Sequence, residues 1–436
     1  MKVIKGVVCP FCGSLCDDIE VIVENNIIIE VENACQLGAA KIKGHKEGKR
    51  LSSPLIRNEK GEFEEVSYNE AITQAAKILV NANYPLFYGF GSTEADAHRM
   101  SINLAEEVNA IWDHCPSVCH GPSVLGIQEI GMAGCTLGDI RNRADLIIYL
   151  GCNPMEAHPR HMSRYTTFPR GYFREKGFQE RTVVVIDIRK TETAKLANLF
   201  LQIQPGGDFE FISALRAILR GKKIAMQEIS GIPKEKIEQL AELMKQAKYG
   251  ILHFGLGLAT TKGKHRNVDA ALSLVRDLNE HTKFSVMPLR GHYNVTGAQM
   301  VATWLTGYPF AISLIRGYPQ YNPGEFSLTG VFSRGEADAA LIAASDPVGN
   351  SPKQVMNHFA KIPYIVLDPY ETPTTRLAKV VFPVQISGVE SVGTAYRMDA
   401  VPIRLRQIKE PPKGIWTDYQ VLKKILQKCK KIKVQK

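Results

Sequence analysis

The chain has 436 residues, 44% of them hydrophobic and 22% charged, with a net charge of +10 at pH 7. That length calls for two or three packed units, and the apolar content excludes an intrinsically disordered chain. No apolar run approaches the roughly 20 residues of a membrane helix, and the opening residues lack the apolar core of a signal peptide, so the expectation is a cytoplasmic protein with no membrane span.

The first feature in the chain is Cys9-Pro-Phe-Cys12-Gly-Ser-Leu-Cys16, with Cys35 downstream. Disulfides are not expected in a large cytosolic chain, so a tight cysteine cluster reads as metal binding in a reducing compartment. Four thiolates suit a 4Fe–4S cube, one for each iron, and zinc is the rival because it also takes four thiolates. The three-residue gap between Cys12 and Cys16 fits a cube corner better than paired zinc knuckles. Alternating strands Ile19–Val23 and Ile27–Val31 flank Asn25-Asn26, which reads as a hairpin turn.

A helix is predicted over Tyr68–Asn81, and from there one unit repeats: apolar strand, glycine-containing turn, amphipathic helix. Leu86–Tyr88 runs into Gly89-Phe-Gly91 and a helix from Glu94 to about Asn109. Asp145–Leu150 ends at Gly151, and Thr182–Ile186 ends at Asp187. Gly250–Phe254 ends at Gly255-Leu-Gly257, with a helix near Val268–Asn279. Ala339–Ala343 ends at Ser345-Asp346, and Tyr364–Leu367 ends at Asp368. Alternating strands and helices predict α/β architecture with doubly wound parallel sheets and ligands beyond the carboxyl ends of the strands. Gly89-x-Gly91 and Gly255-x-Gly257 each lack the third glycine of a dinucleotide fingerprint, so each alone reads as a tight turn. Together, several such ends suit a groove for an extended nucleotide. Past Val380 the pattern changes to short strands, and the next helix is predicted at Asp418–Cys429. The basic residues are dispersed except in the lysine run from Lys423 to Lys433 within and after it, which reads as a solvated end or an acidic-partner contact rather than a nucleic-acid site.

Two further constellations carry chemistry. In Cys115-Pro-Ser-Val-Cys119-His120-Gly121-Pro122-Ser123, a thiolate beside an imidazole is a nucleophile, a metal ligand, or a ligand with a proton carrier; a buried structural cysteine is the equally weighted alternative. In Arg290-Gly-His292-Tyr-Asn294, an arginine and a histidine on a glycine-bounded loop suit an anionic substrate, because guanidinium binds carboxylate through two parallel hydrogen bonds; an arginine that caps a helix or pairs with a surface acid is the equally common alternative.

The order of these motifs resembles the molybdenum and tungsten bis(pyranopterin guanine dinucleotide) oxidoreductases, the superfamily of formate dehydrogenases and nitrate reductases, over nearly the whole chain. Carrying the resemblance, besides the cysteine cluster, are Arg50-Leu-Ser-Ser-Pro54, Gly151-Cys-Asn153-Pro154-Met-Glu-Ala-His158-Pro159, Asp187-Ile-Arg189-Lys-Thr191, Gln204-Pro-Gly206-Gly-Asp208 and Gly388-Val-Glu390-Ser-Val-Gly393-Thr394. The resemblance implies that Gly151, Asn153, His158, Asp187, Arg189, Thr191, Gly206, Asp208, Gly255, Gly257, Asn294, Asp346, Gly393 and Thr394 hold two pyranopterin guanine dinucleotides. It implies a 4Fe–4S cluster on Cys9, Cys12, Cys16 and Cys35, tungsten or molybdenum on Cys119, a proton carried by His120, and substrate oriented by Arg290 with help from His292. Superfamily members commonly have a lysine two residues after the fourth cluster cysteine; here that place is Leu37.

Within the superfamily, the cluster motif and Gly393-Thr394-Ala-Tyr-Arg397-Met-Asp399 are similar to the B subunits of archaeal formylmethanofuran dehydrogenases. That likeness implies reversible two-electron reduction of carbon dioxide to formate, the first step of methanogenesis from carbon dioxide. It implies three kinds of partner: a small subunit supplying the β-barrel that closes over the pterins, an amidohydrolase-like subunit condensing formate with methanofuran, and polyferredoxin-type electron donors. The implied domains are a cluster domain over 1–57 joined by part of 385–436, a first α/β domain over 58–120 and 285–384, and a second over 121–284. The alternatives are a formate dehydrogenase of the same superfamily, or a non-catalytic assembly subunit of a formyltransferase/hydrolase complex.

Overall fold

The computed structural model describes residues 1–44 and 50–435. They form two compact units, one of 1–118, 292–397 and 402–436, the other of 119–291 and 398–401. Among the described residues no helix is long and apolar enough to cross a membrane.

The first unit opens with a three-stranded antiparallel sheet of Lys2–Val7, Ile19–Glu24 and Ile27–Glu32. Asn25 and Asn26 both take positive φ, 49° and 63°, the conformation that a two-residue hairpin matching strand twist demands and that asparagine tolerates. The helix Gln36–Lys43 follows, capped by the Cys35 side chain.

The same unit holds a nine-stranded sheet. Its centre is parallel: Ile111–Trp112, Pro85–Gly89, Ala339–Ala343, Tyr364–Leu367 and Val380–Phe382 lie side by side in that order. Leu55–Arg57 and Ile312–Ser313 flank this centre antiparallel, and Phe63–Glu65 and Gln320–Tyr321 add the two edges, also antiparallel. The helix Tyr68–Asn81 starts where predicted because Ser67 and Glu70 form a reciprocal capping box. The last helix runs Asp418–Gln435, longer than predicted. Its apolar stripe of Val421, Leu422, Ile425 and Cys429 joins the core under the sheet, which leaves the lysine run on its outer face, with Lys430 and Lys433 paired to Glu107.

The second unit is a five-stranded, wholly parallel sheet in the order Leu199–Gln202, Thr182–Asp187, Leu146–Leu150, Gly250–Phe254, Phe284–Pro288. Both faces are covered. Leu146, Ile148 and Leu150 enter one core while Ile147 and Tyr149 enter the other, the two-residue period of a strand buried on both sides. Strand order reverses between Leu146–Leu150 and Gly250–Phe254, so the crevice that binds ligands in such sheets lies beyond Leu150 and Phe254. In the first unit the equivalent reversal falls between Pro85–Gly89 and Ala339–Ala343.

Candidate metal and cofactor site

The four N-terminal cysteines lie in the first unit. A tight turn brings them together: the Cys9 N–H donates to the Cys16 carbonyl at 2.9 Å, and Leu15 takes φ 38° inside it. Gly38 lies between two sulfurs, since a Cβ there would meet Cys9 Sγ at 2.8 Å and Cys35 Sγ at 3.5 Å. Burial, and then the charges of Cys16, Cys12 and Cys35, push the Cys9 thiol far up. Thiols packed this way ionise together only around a cation, so the residues fit a metal group. Cys12 pairs with His292 as an antiparallel bridge, which ties the cysteine turn to the loop after residue 291. Leu37 is exposed. Lys41, one turn further along the same helix, is a cation that acts on His292 and, together with Arg50, on Asp368.

Asn294 in that loop is fully engaged within the protein. Its Nδ2 donates to the Thr93 carbonyl at 2.8 Å and the Thr394 carbonyl at 3.3 Å, and its Oδ1 accepts from Tyr396 N–H at 2.7 Å. A Cβ on Gly393 would strike Glu94 at 2.6 Å, so this glycine serves close packing of the strand Gly393–Tyr396 against the start of the helix Ala95–Glu107. Asp346 caps the short helix Pro347–Asn350 and binds Thr374.

The second unit holds the rest. At its reversal point Gly151 (φ 56°) faces Gly257, whose N–H donates to the Gly151 carbonyl at 2.9 Å. A Cβ on Gly255 would come 2.6 Å from that of Cys152. The two strand-end loops thus pack backbone to backbone, leaving the crevice rim to the neighbouring side chains. There Asn153 Oδ1 accepts from Thr193 Oγ1 at 2.6 Å, while its buried Nδ2 has no hydrogen-bond partner among the described residues. Asp187 and Asp208 share this edge: burial lifts both carboxyls, and the charge of Asp187 adds to the shift of Asp208. A buried amide donor and two raised carboxyls meet the polar edges of a guanine nucleotide well. Thr191 is buried and caps Ala194 N–H, Gly206 takes φ 81°, and Arg189 is exposed.

Cys119, His120, His158 and Arg290 converge in this unit. Burial raises the Cys119 thiol, opposed by the His120 backbone and the Arg290 charge. Arg290 is buried, which lowers its pKa to about 10, and the Cys119 charge opposes that. His120 Nε2 lies 2.9 Å from the Leu289 carbonyl and Nδ1 lies 2.9 Å from Ser123 Oγ. A carbonyl only accepts, so Nε2 carries the proton and Nδ1 accepts from Ser123. Burial and the Arg290 charge push the His120 pKa down to about 4, which leaves the ring neutral. His158 Nε2 lies 2.7 Å from the Arg290 carbonyl. The buried rings of His161 and His253 behind His158 are members of this site that no sequence signal marked; Ser123 closes the Cys119-His120 motif, but no role for it was legible there. A thiolate of intermediate exposure beside a buried guanidinium fits a soft metal with an anionic substrate next to it.

The sequence matches the molybdopterin oxidoreductase family over residues 50–428, and the chain belongs to that family. It is 49% identical over 433 residues to the B subunit of the tungsten-containing formylmethanofuran dehydrogenase 2 of Methanocaldococcus jannaschii, covering 99% of this chain and 100% of that one. Formate dehydrogenase H of Escherichia coli is 24% identical, over 96% of this chain and 67% of its own length. A chain of the formyltransferase/hydrolase complex from Methylorubrum extorquens, solved with methylofuran, shares the fold at a TM-score of 0.71 and 21% identity, over 88% of this chain and all of that chain. Within the family, then, the chain groups with the B subunits of formylmethanofuran dehydrogenases and is an oxidoreductase.

Proposed function

We propose that this chain is the catalytic subunit of a formylmethanofuran dehydrogenase, interconverting carbon dioxide and formate at tungsten or molybdenum. The observation that carries the reading is the meeting of Cys119, His120 and the buried Arg290 in one unit. Formate oxidation releases carbon dioxide, two electrons and a proton. The bound metal with two pyranopterin guanine dinucleotides supplies the two-electron redox chemistry. Cys119 is the protein thiolate to that metal. Arg290 holds the carboxylate of formate and favours negative charge on the oxygens of carbon dioxide during reduction. His120, neutral in this site, can accept a proton only at Nδ1, because Nε2–H is committed to the Leu289 carbonyl, and Ser123 is its hydrogen-bond partner there.

Asn153, Asp187 and Asp208 receive one nucleotide. Cys9, Cys12, Cys16 and Cys35 would hold a 4Fe–4S cluster, which when bound would supply one-electron transfer with a polyferredoxin-type partner. Separate subunits supply the closing β-barrel and the methanofuran-condensing centre. The rival is a non-catalytic assembly subunit, which the likeness to the formyltransferase/hydrolase complex brings forward. Four cluster cysteines together with Cys119, His120 and Arg290 speak for the enzyme. Elemental analysis of the purified complex tests the choice: about one tungsten or molybdenum per chain is expected, and neither metal would sink the proposal. Cys119→Ala retaining full formate oxidation would remove the ligand role.

A further inference from the structure

We infer that His158 is a positioning residue for Arg290, acting through the arginine's backbone carbonyl. The inference rests on the reading of Arg290 as the substrate arginine. After the strand Phe284–Pro288 the chain leaves the sheet, with Leu289 N–H making a last bond to the Phe254 carbonyl at 2.9 Å. The carbonyls of the next two residues each meet a buried imidazole. Leu289 meets His120 Nε2 at 2.9 Å and Arg290 meets His158 Nε2 at 2.7 Å. Both rings must donate, since carbonyls only accept. The two imidazoles hold the backbone from which the guanidinium projects.

His158 is itself well held. Its backbone N–H closes the short helix Pro154–Ala157 at 2.8 Å, and its carbonyl accepts from His161 N–H at 2.7 Å. Its ring lies edge-on to His161 at 6.4 Å. His161 in turn meets His253 at 4.8 Å, and His253 stacks on Tyr149 at 5.4 Å and 17°. All three imidazoles are buried. A neutral ring supplies a rigid N–H without adding charge, whereas a lysine or arginine donor at this place would repel the buried Arg290. Position matters here because a two-point grip on formate is lost with a small displacement of the fork.

The test uses the purified complex with His158→Leu, which removes the donor, and His158→Gln, whose terminal amide keeps one. Formate KM and kcat are measured together with tungsten or molybdenum content. The expected result is a rise of roughly ten- to hundredfold in formate KM for His158→Leu with metal content unchanged, and a change within about threefold for His158→Gln. Added to Arg290→Ala, His158→Leu should then cost nothing further, an outcome that general loosening of the fold would not give. An unchanged KM in His158→Leu, full additivity with Arg290→Ala, or metal loss in both His158 variants would each overturn the assignment. Failure of the underlying reading looks different: Arg290→Ala alone would leave formate saturation intact.

Discussion

Gly257→Ala is expected to damage the second unit and its nucleotide crevice, while Gly291→Ala, next to the substrate arginine, is expected to be silent. A Cβ at 257 would lie 2.6 Å from the Gly151 carbonyl oxygen and 2.9 Å from the Gly151 Cα, well inside the 3.4 Å at which ordinary contact begins. The obstacle is backbone at a strand end, so it cannot rotate away as a side chain would. Relief requires the two loops to part, which breaks the 2.9 Å hydrogen bond from Gly257 N–H to the Gly151 carbonyl. Overpacking costs about 1–3 kcal/mol and a lost buried hydrogen bond about 1 kcal/mol more, so roughly 2–4 kcal/mol in all. For a unit of this size that lowers the melting temperature by roughly 5–15 °C. Because the parted loop also carries Asn153, bound guanine nucleotide should fall with it. Thermal melts of the complex and the nucleotide released on denaturation, quantified by chromatography, measure both effects. At 291 the added methyl meets open space, so melting temperature and nucleotide content should match the parent. A Gly257→Ala complex that melts within about 1 °C of the parent with full nucleotide would refute the argument from loop packing.

Arg290→Lys keeps a cation but loses the fork. The loss of one charge-assisted hydrogen bond, about 1.5–3 kcal/mol, predicts a ten- to hundredfold fall in kcat/KM for formate with tungsten retained, read by viologen-coupled kinetics and metal analysis. Cys35→Ser should lower iron content and weaken the low-temperature EPR signal of the reduced protein, while metal at Cys119 persists; unchanged iron would remove Cys35 from the cluster. Asp277 is buried and bound by Arg216 at 2.8 Å and Arg220 at 2.7 Å. Burial works to raise its pKa, but the hydrogen bonds and charges of Arg220 and Arg216 outweigh burial and lower it. A depressed carboxyl gives stability that is present above its unfolded pKa and is lost as pH falls through its folded one. Asp277→Asn should therefore melt lower than the parent at pH 7, and the gap should narrow as the pH falls below the ordinary aspartate range; a gap that does not narrow on acidification would contradict the ion triad.

What is legible in the sequence is what is local. Ser67 and Glu70 announce the helix Tyr68–Asn81 through a contact three residues long, and Asn25-Asn26 announces its hairpin through its own backbone preference. Cys119 and His120 are neighbours in the chain, so their pairing is visible at once. The pattern of the last helix stops short at Cys429 because the residues beyond it are mostly lysines, and only docking of the stripe Val421 to Cys429 on the core explains why the helix continues to Gln435. The glycine pairs show the limit most clearly. Each alone reads as a turn, yet Gly151 and Gly257 are needed by one another, and strands that meet at a reversal of order are not neighbours in sequence. The same holds at the site. The resemblance assigns His158 to cofactor binding, and no motif discloses that its Nε2 also lies on the carbonyl of Arg290, 132 residues away. A motif thus discloses which groups act, since those must be particular residues. It is silent on what holds them, because any N–H in the right place would serve, and the fold alone determines which one stands there.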